Sequence, residues 1–173
     1  MGVTYTTAAA NTYVPIATQT LGSTAATVTF SSIVNSYTDL FLQANIKGTS
    51  GSASYLYLNL NGDTATNYSQ TSLYGNGTSA GSSRNANTAV GYLAQNANIN
   101  TTNLTYYGIN FQNYTNTTTY KTMLTRLGSA DLETEAVVTL WRSTAAINQI
   151  VFAMNLGSFA AGSVFSLYGI KGA

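Results

Sequence analysis

The sequence predicts an all-β chain folded as an antiparallel two-sheet sandwich. Three observations carry the prediction: apolar and polar residues alternate at a period of two in run after run, turn-forming Gly, Asn and Ser separate the runs, and no helical period interrupts them. The clearest case is Tyr37 to Asp63, YTDLFLQANIKGTSGSASYLYLNLNGD. Leu40, Leu42, Ala44 and Ile46 share one face of its first half, with Phe41, Gln43 and Asn45 on the other. Leu56, Leu58 and Leu60 share a face in the second half, with Tyr55, Tyr57 and Asn59 opposite. The GTSGSAS between them reads as a flexible connection, so the two runs are expected to be antiparallel strands of one sheet. Asn61-Gly62-Asp63 ends the second run with a strong turn signal, because Asn and Gly both tolerate positive φ.

From the start, residues 1–11 are rich in Thr and Ala without an amphipathic period; they are expected to form an extended arm ahead of a sandwich domain over 12–173. The next strand begins at Tyr13 and holds the only proline, Pro15, which cannot donate to a ladder and so belongs at a sheet edge. Ala26, Val28 and Phe30 alternate with Thr27 and Thr29 in a second strand, and the central pair follows. Thr64 to Thr88, TATNYSQTSLYGNGTSAGSSRNANT, has one apolar cluster, Ser72-Leu73-Tyr74, and otherwise reads as irregular. Loops beyond about 12–15 residues are usually functional, so contacts with an outside partner are expected in this segment. Strands resume at Val90–Leu93, Leu104–Phe111, Tyr120–Leu127, Ala136–Arg142, Ile147–Met154 and Val164–Ile170. About eight to ten short strands with long connections suit a jelly roll, which hides most strand edges. Leu40, Leu42, Leu56, Leu58, Leu60, Ile109, Phe111, Ile150 and Phe152 are its expected core.

Composition narrows the function classes. Charged residues make up 6% of the 173, against about 25% in an average soluble domain, and the net charge is +1. With 45% hydrophobic residues the chain does not have the composition of a disordered one. A surface of Thr, Ser, Asn, Gly and Tyr with so few charges is poorly protected against association and suits a protein that works inside an assembly. The six basic residues are scattered, which leaves no electrostatic footprint for nucleic acid. No apolar run approaches the about 20 residues that cross a bilayer, so no membrane association is expected. The start, MGVTYTTAAANTY, has neither the basic nor the apolar region of a secretory leader.

Chemistry is hard to assemble from these residues. There is no cysteine for a disulfide or a thiolate site, and no histidine to activate a nucleophile. Lys47, Lys121 and Lys171 are the only lysines, and no motif places two of Asp39, Asp63, Asp131, Glu133 and Glu135 across a cleft. Neither enzymatic activity nor a cofactor is expected. The run Asp131-Leu132-Glu133-Thr134-Glu135, if extended, projects three carboxylates on one face and would make a hard-cation site; the alternative is a solvated loop leading into the next strand. The N-x-[ST] triplets at Asn67, Asn76, Asn100, Asn103, Asn113 and Asn116 arise by chance in so Asn- and Thr-rich a chain.

The aromatics say more. Thirteen tyrosines and one tryptophan give large, rigid contact area of the sort enriched at interfaces and sugar-stacking sites, or else cover the outer face of a sheet. Tyr5, Tyr13, Tyr55, Tyr57 and Trp141 are the candidate partner-binding residues. The segments TVTFSSIVNSYTDLFL, YLYLNLNGDTATNYSQTSLYGNG and AINQIVFAMNLGSFAAGSVFSLYGIK resemble small structural proteins of tailed bacteriophages, notably phages of cyanobacteria and other aquatic bacteria. The similarity spans about Tyr13 to Lys171. It implies a jelly-roll-like sandwich on the virion surface, either a capsid cement or decoration protein bound to the major capsid protein, or a tail- or fibre-associated adhesion module binding tail proteins or a host glycan. It also implies a homotrimer, and it carries no catalytic residues. The absence of a repeat or heptad shaft favours the capsid exterior, with the arm and its Tyr5 as the expected anchor.

Overall fold

Twelve strands and no helix make up the described part of the computed structural model, which covers residues 12–50, 54–96, 99–129 and 131–171. The predicted arm, residues 1–11, lies outside the described residues. The first six strands are β1 (Tyr13–Thr20), β2 (Thr27–Phe30), β3 (Asp39–Ile46), β4 (Leu56–Leu60), β5 (Tyr68–Gly75) and β6 (Ala80–Thr88). The second six are β7 (Gly91–Tyr92), β8 (Thr105–Gln112), β9 (Lys121–Ser129), β10 (Glu133–Trp141), β11 (Ile150–Met154) and β12 (Val164–Ile170). Eight form one antiparallel sheet in the order β1-β12-β3-β8-β9-β10-β5-β6, and four form a second in the order β2-β11-β4-β7. The sandwich predicted from alternation is the fold.

Its winding is nested. β3 pairs with β12, β4 with β11, β5 with β10 and β8 with β9, so the chain runs out and returns as one long folded-back ribbon. The first three pairs alternate between the sheets, as in a jelly roll. The innermost pair departs from that scheme: β8 and β9 insert between β3 and β10 and complete the large sheet.

The central leucine runs therefore do not pair with each other, which corrects the sequence expectation. β3 lies in the large sheet and β4 in the small one. A period of two looks the same whether the companion strand is alongside or in the opposite sheet, and here both leucine faces enter one common core. All nine predicted core side chains are fully buried. Asn61 and Gly62 turn as expected, with φ of 52° and 72°, and Asp63 N–H closes the turn on Leu60 O at 2.9 Å. The turn carries the chain across to the other sheet rather than into a hairpin.

Thr64–Thr88, read from sequence as an irregular loop, holds the β5–β6 hairpin. Asn76 Oδ1 nucleates its tip by accepting from the N–H groups of Thr78 at 3.0 Å and Ser79 at 2.8 Å. The strand pattern was hidden because β5 buries Gln70 and Ser72 where other strands bury leucine, and because β6 is an edge strand of mostly small polar residues. β1, with Pro15, is the opposite edge as the proline implied, and it also carries a bulge between Pro15 and Ala17.

Candidate binding site

Two surfaces stand out, one on the outward face of the wide sheet and one where that sheet meets the edge of the narrow one. The first is the outward face of the large sheet. Alternation along β5, β9 and β10 turns Thr71, Leu73, Leu124, Arg126, Ala136 and Val138 away from the core. Register aligns them in two rows. Arg84, Thr71, Val138 and Leu124 form one row, and Ser82, Leu73, Ala136 and Arg126 the next. Leu73 is 64% exposed, Val138 46% and Leu124 37%, which is unusual for three large apolar side chains on adjoining strands. They line a shallow groove of about 300 Å³ with an arginine at each flank.

The second surface is a polar cleft of about 250 Å³ where the overhanging β6 faces the β7 edge of the small sheet. Tyr55, Asn85, Thr88, Tyr92, Ala94 and Gln95 line it. The Tyr55 and Tyr92 rings meet edge to face with centroids 5.5 Å apart. Burial, and then the neighbouring Tyr92 hydroxyl, raise the Tyr55 pKa. Gln95 is pinned from three sides. Its Oε1 accepts from Gln70 Nε2 at 2.5 Å and from Asn85 Nδ2 at 2.8 Å, and its backbone N–H donates to Glu135 Oε1 at 2.8 Å. Glu135 is buried, and that burial raises its pKa.

The predicted contact residues separate. Tyr13 is 52% exposed at the β1 edge, edge to face with Phe41 at 5.9 Å and Tyr168 at 6.4 Å on the outward side of the large sheet. Tyr55 lines the cleft, while Tyr57, half-buried, lies opposite Tyr92 in the β4–β7 pair. Tyr5 lies outside the described residues. Trp141 is not a surface residue: it is 2% exposed, stacks on buried Tyr68 at 6.4 Å and donates from Nε1 to Asp63 Oδ2 at 2.6 Å. Leu140 beside it takes the outward side, and Trp141 shares the inward face with Glu135, Val137 and Thr139. Asn85, Tyr92 and Gln95 carried no individual sequence signal, although Asn85 and Thr88 fall in the segment expected to meet a partner.

The acidic run does not gather three carboxylates. Glu133 and Glu135 follow the β10 alternation, whereas Asp131 sits in the preceding turn, where Ser129 Oγ, Asn103 Nδ2 and Asn100 Nδ2 donate to it. The Ser129 and Asn103 hydrogen bonds hold the Asp131 carboxyl below its usual pKa. Among the described residues no three His, Cys, Asp or Glu side chains come together. No helix among them is long and apolar enough to cross a membrane.

Fold and surfaces together define a jelly-roll-like β-sandwich whose wide sheet carries an exposed apolar strip on its outward face. Comparison with protein-family models, with curated proteins and with solved structures finds no match to the chain.

Proposed function

We propose that the chain is a structural protein of a tailed-phage virion, a cement or decoration protein that binds the outer capsid shell and stabilises it. The observation that carries this reading is the Leu73–Val138–Leu124 strip with its flanking arginines. Apolar area bordered by Arg is the composition of an interface centre, and it fits a capsid subunit presenting apolar residues rimmed by acidic ones. The resemblance of the sequence to virion proteins supports the same reading. So does the scarcity of charge, which suits a protein held among neighbours. The copies assemble as closed homotrimers. Many modest contacts on one shell then add up through avidity, and binding to the assembled state stabilises it by mass action.

Immunogold labelling of intact virions with antibodies to this chain tests the location. Label spread over the capsid exterior supports the proposal. Label confined to tails replaces it with the adhesion-module reading, for which the tyrosine-lined cleft is the favouring observation.

A further inference from the structure

We propose that the cleft between β6 and the β7 edge is a binding site for a neutral saccharide, held by Asn85, Gln95 and the Tyr55–Tyr92 pair. The proposal is independent of where the protein sits on a virion.

The chemistry of the lining selects the ligand class. No Lys, Arg, Asp or Glu lines the cleft, so nothing there compensates a phosphate, a sulfate or an ammonium group. The lining is also mostly polar, and the space of about 250 Å³ falls just below the range of apolar drug-sized pockets. A small polyol with both hydroxyl groups and C–H faces matches such a surface. Tyrosine supplies rigid rings for the C–H face at low entropic cost, together with a hydroxyl that donates and accepts.

The amides are already positioned. Asn85 Nδ2 and Gln95 Oε1 are spent on each other at 2.8 Å, and Gln70 Nε2 adds a second hydrogen bond to that Gln95 oxygen. Among the described residues nothing bonds Asn85 Oδ1 or Gln95 Nε2, which leaves one fixed acceptor and one fixed donor for adjacent hydroxyl groups. Gln95 is fixed further by its backbone bond to buried Glu135, and Asn85 by its place in the β5–β6 ladder. A donor and an acceptor held in one geometry lose little freedom on binding. Glycoside cleavage needs two carboxyl groups about the scissile bond, and no carboxyl group lines the cleft, so the site binds without hydrolysing.

The test is an NMR titration of the full chain with methyl glycosides of glucose, galactose, mannose and N-acetylglucosamine, reading the side-chain amides of Asn85 and Gln95. At least one glycoside is expected to shift both amides saturably. Asn85→Ala, a change on an exposed edge strand, is expected to weaken that glycoside about tenfold, as loss of one fixed hydrogen bond should. The variant's amide spectrum reports whether the fold is retained, and an unfolded variant leaves the wild-type titration to decide. Absence of saturable shifts with all four glycosides, shifts confined to residues away from the cleft, or a folded Asn85→Ala protein that binds as tightly as wild type would each overturn the proposal. None of these outcomes alters the capsid-labelling result.

Discussion

Asp63 joins the two sheets through a single carboxylate. Its Oδ2 accepts from Trp141 Nε1 at 2.6 Å and from Asn67 Nδ2 at 2.9 Å, and its Oδ1 accepts from Ala65 N–H at 2.9 Å. Its carbonyl also accepts from the Tyr68 hydroxyl at 3.2 Å, and burial pushes that phenol up to about 12. Burial alone would raise the Asp63 pKa, but the bonds from Asn67, Trp141 and Ala65 outweigh it and hold the pKa below the ordinary value. The stability this gives is present above the unfolded aspartate pKa and is lost as pH falls through the folded one. Glu135 works the other way. Burial raises its pKa, so stability is fully present below the unfolded glutamate pKa and declines as pH rises through the folded value. Melting temperatures measured across the acid range should therefore flatten on the acid side in Asp63→Asn and on the rising-pH side in Glu135→Gln. Identical profiles for wild type and both variants would refute these assignments. Leu58→Ala, at a side chain with no exposure, should cost about 2–5 kcal/mol in denaturant unfolding. Gly62→Ala, at a φ of 72°, should cost about 1–2 kcal/mol without enlarging a cavity.

Elements differ in how they are held. β3, β8, β9 and β10 have a hydrogen-bonded neighbour on each side, whereas β6 and β1 are the edges of the large sheet. Hydrogen exchange should be slowest in the four central strands and fastest in β6, an edge strand without a proline. Protection of β6 equal to that of β9 in the isolated chain would show that this edge is covered. The same contrast explains what sequence could reveal. β2, β3, β4, β8 and β11 were legible because one face of each carries leucine, isoleucine, valine or phenylalanine into the common core. β5 and β6 were not, because their inward side chains include the polar Gln70, Ser72 and Asn85, and Gln70 and Asn85 bond the Gln95 amide where leucine would pack on the opposite layer. The sheet to which each strand belongs was equally hidden. Alternation reports which face is buried and says nothing of the strand alongside, so β3 and β4 read as partners although they lie in different sheets. Tyr55 could be singled out from its alternation with leucine, but its cleft partners come from a polar stretch that has no apolar rhythm to orient it.

At the scale of the whole molecule, the uneven pairing of an eight-stranded and a four-stranded sheet leaves broad outward area on one side and an overhang on the other. The proposed function includes self-association. Sedimentation velocity at micromolar concentration in moderate salt should show a trimer that changes little with added salt, since its contacts are mainly apolar; a monomer would count against it. The capsid claim rests on the exposed strip itself, and the direct measurement is co-sedimentation of purified protein with shells that lack it. Wild type should pellet with the shells, and so should Leu156→Asp, a control at an exposed loop residue off the strip. Leu73→Asp combined with Val138→Asp changes two exposed residues and should leave the sandwich folded while lowering shell binding by tenfold or more, about the loss expected when a desolvated interface centre is disrupted. Binding of the double variant equal to that of wild type, or failure of wild type to pellet at all, would contradict the account.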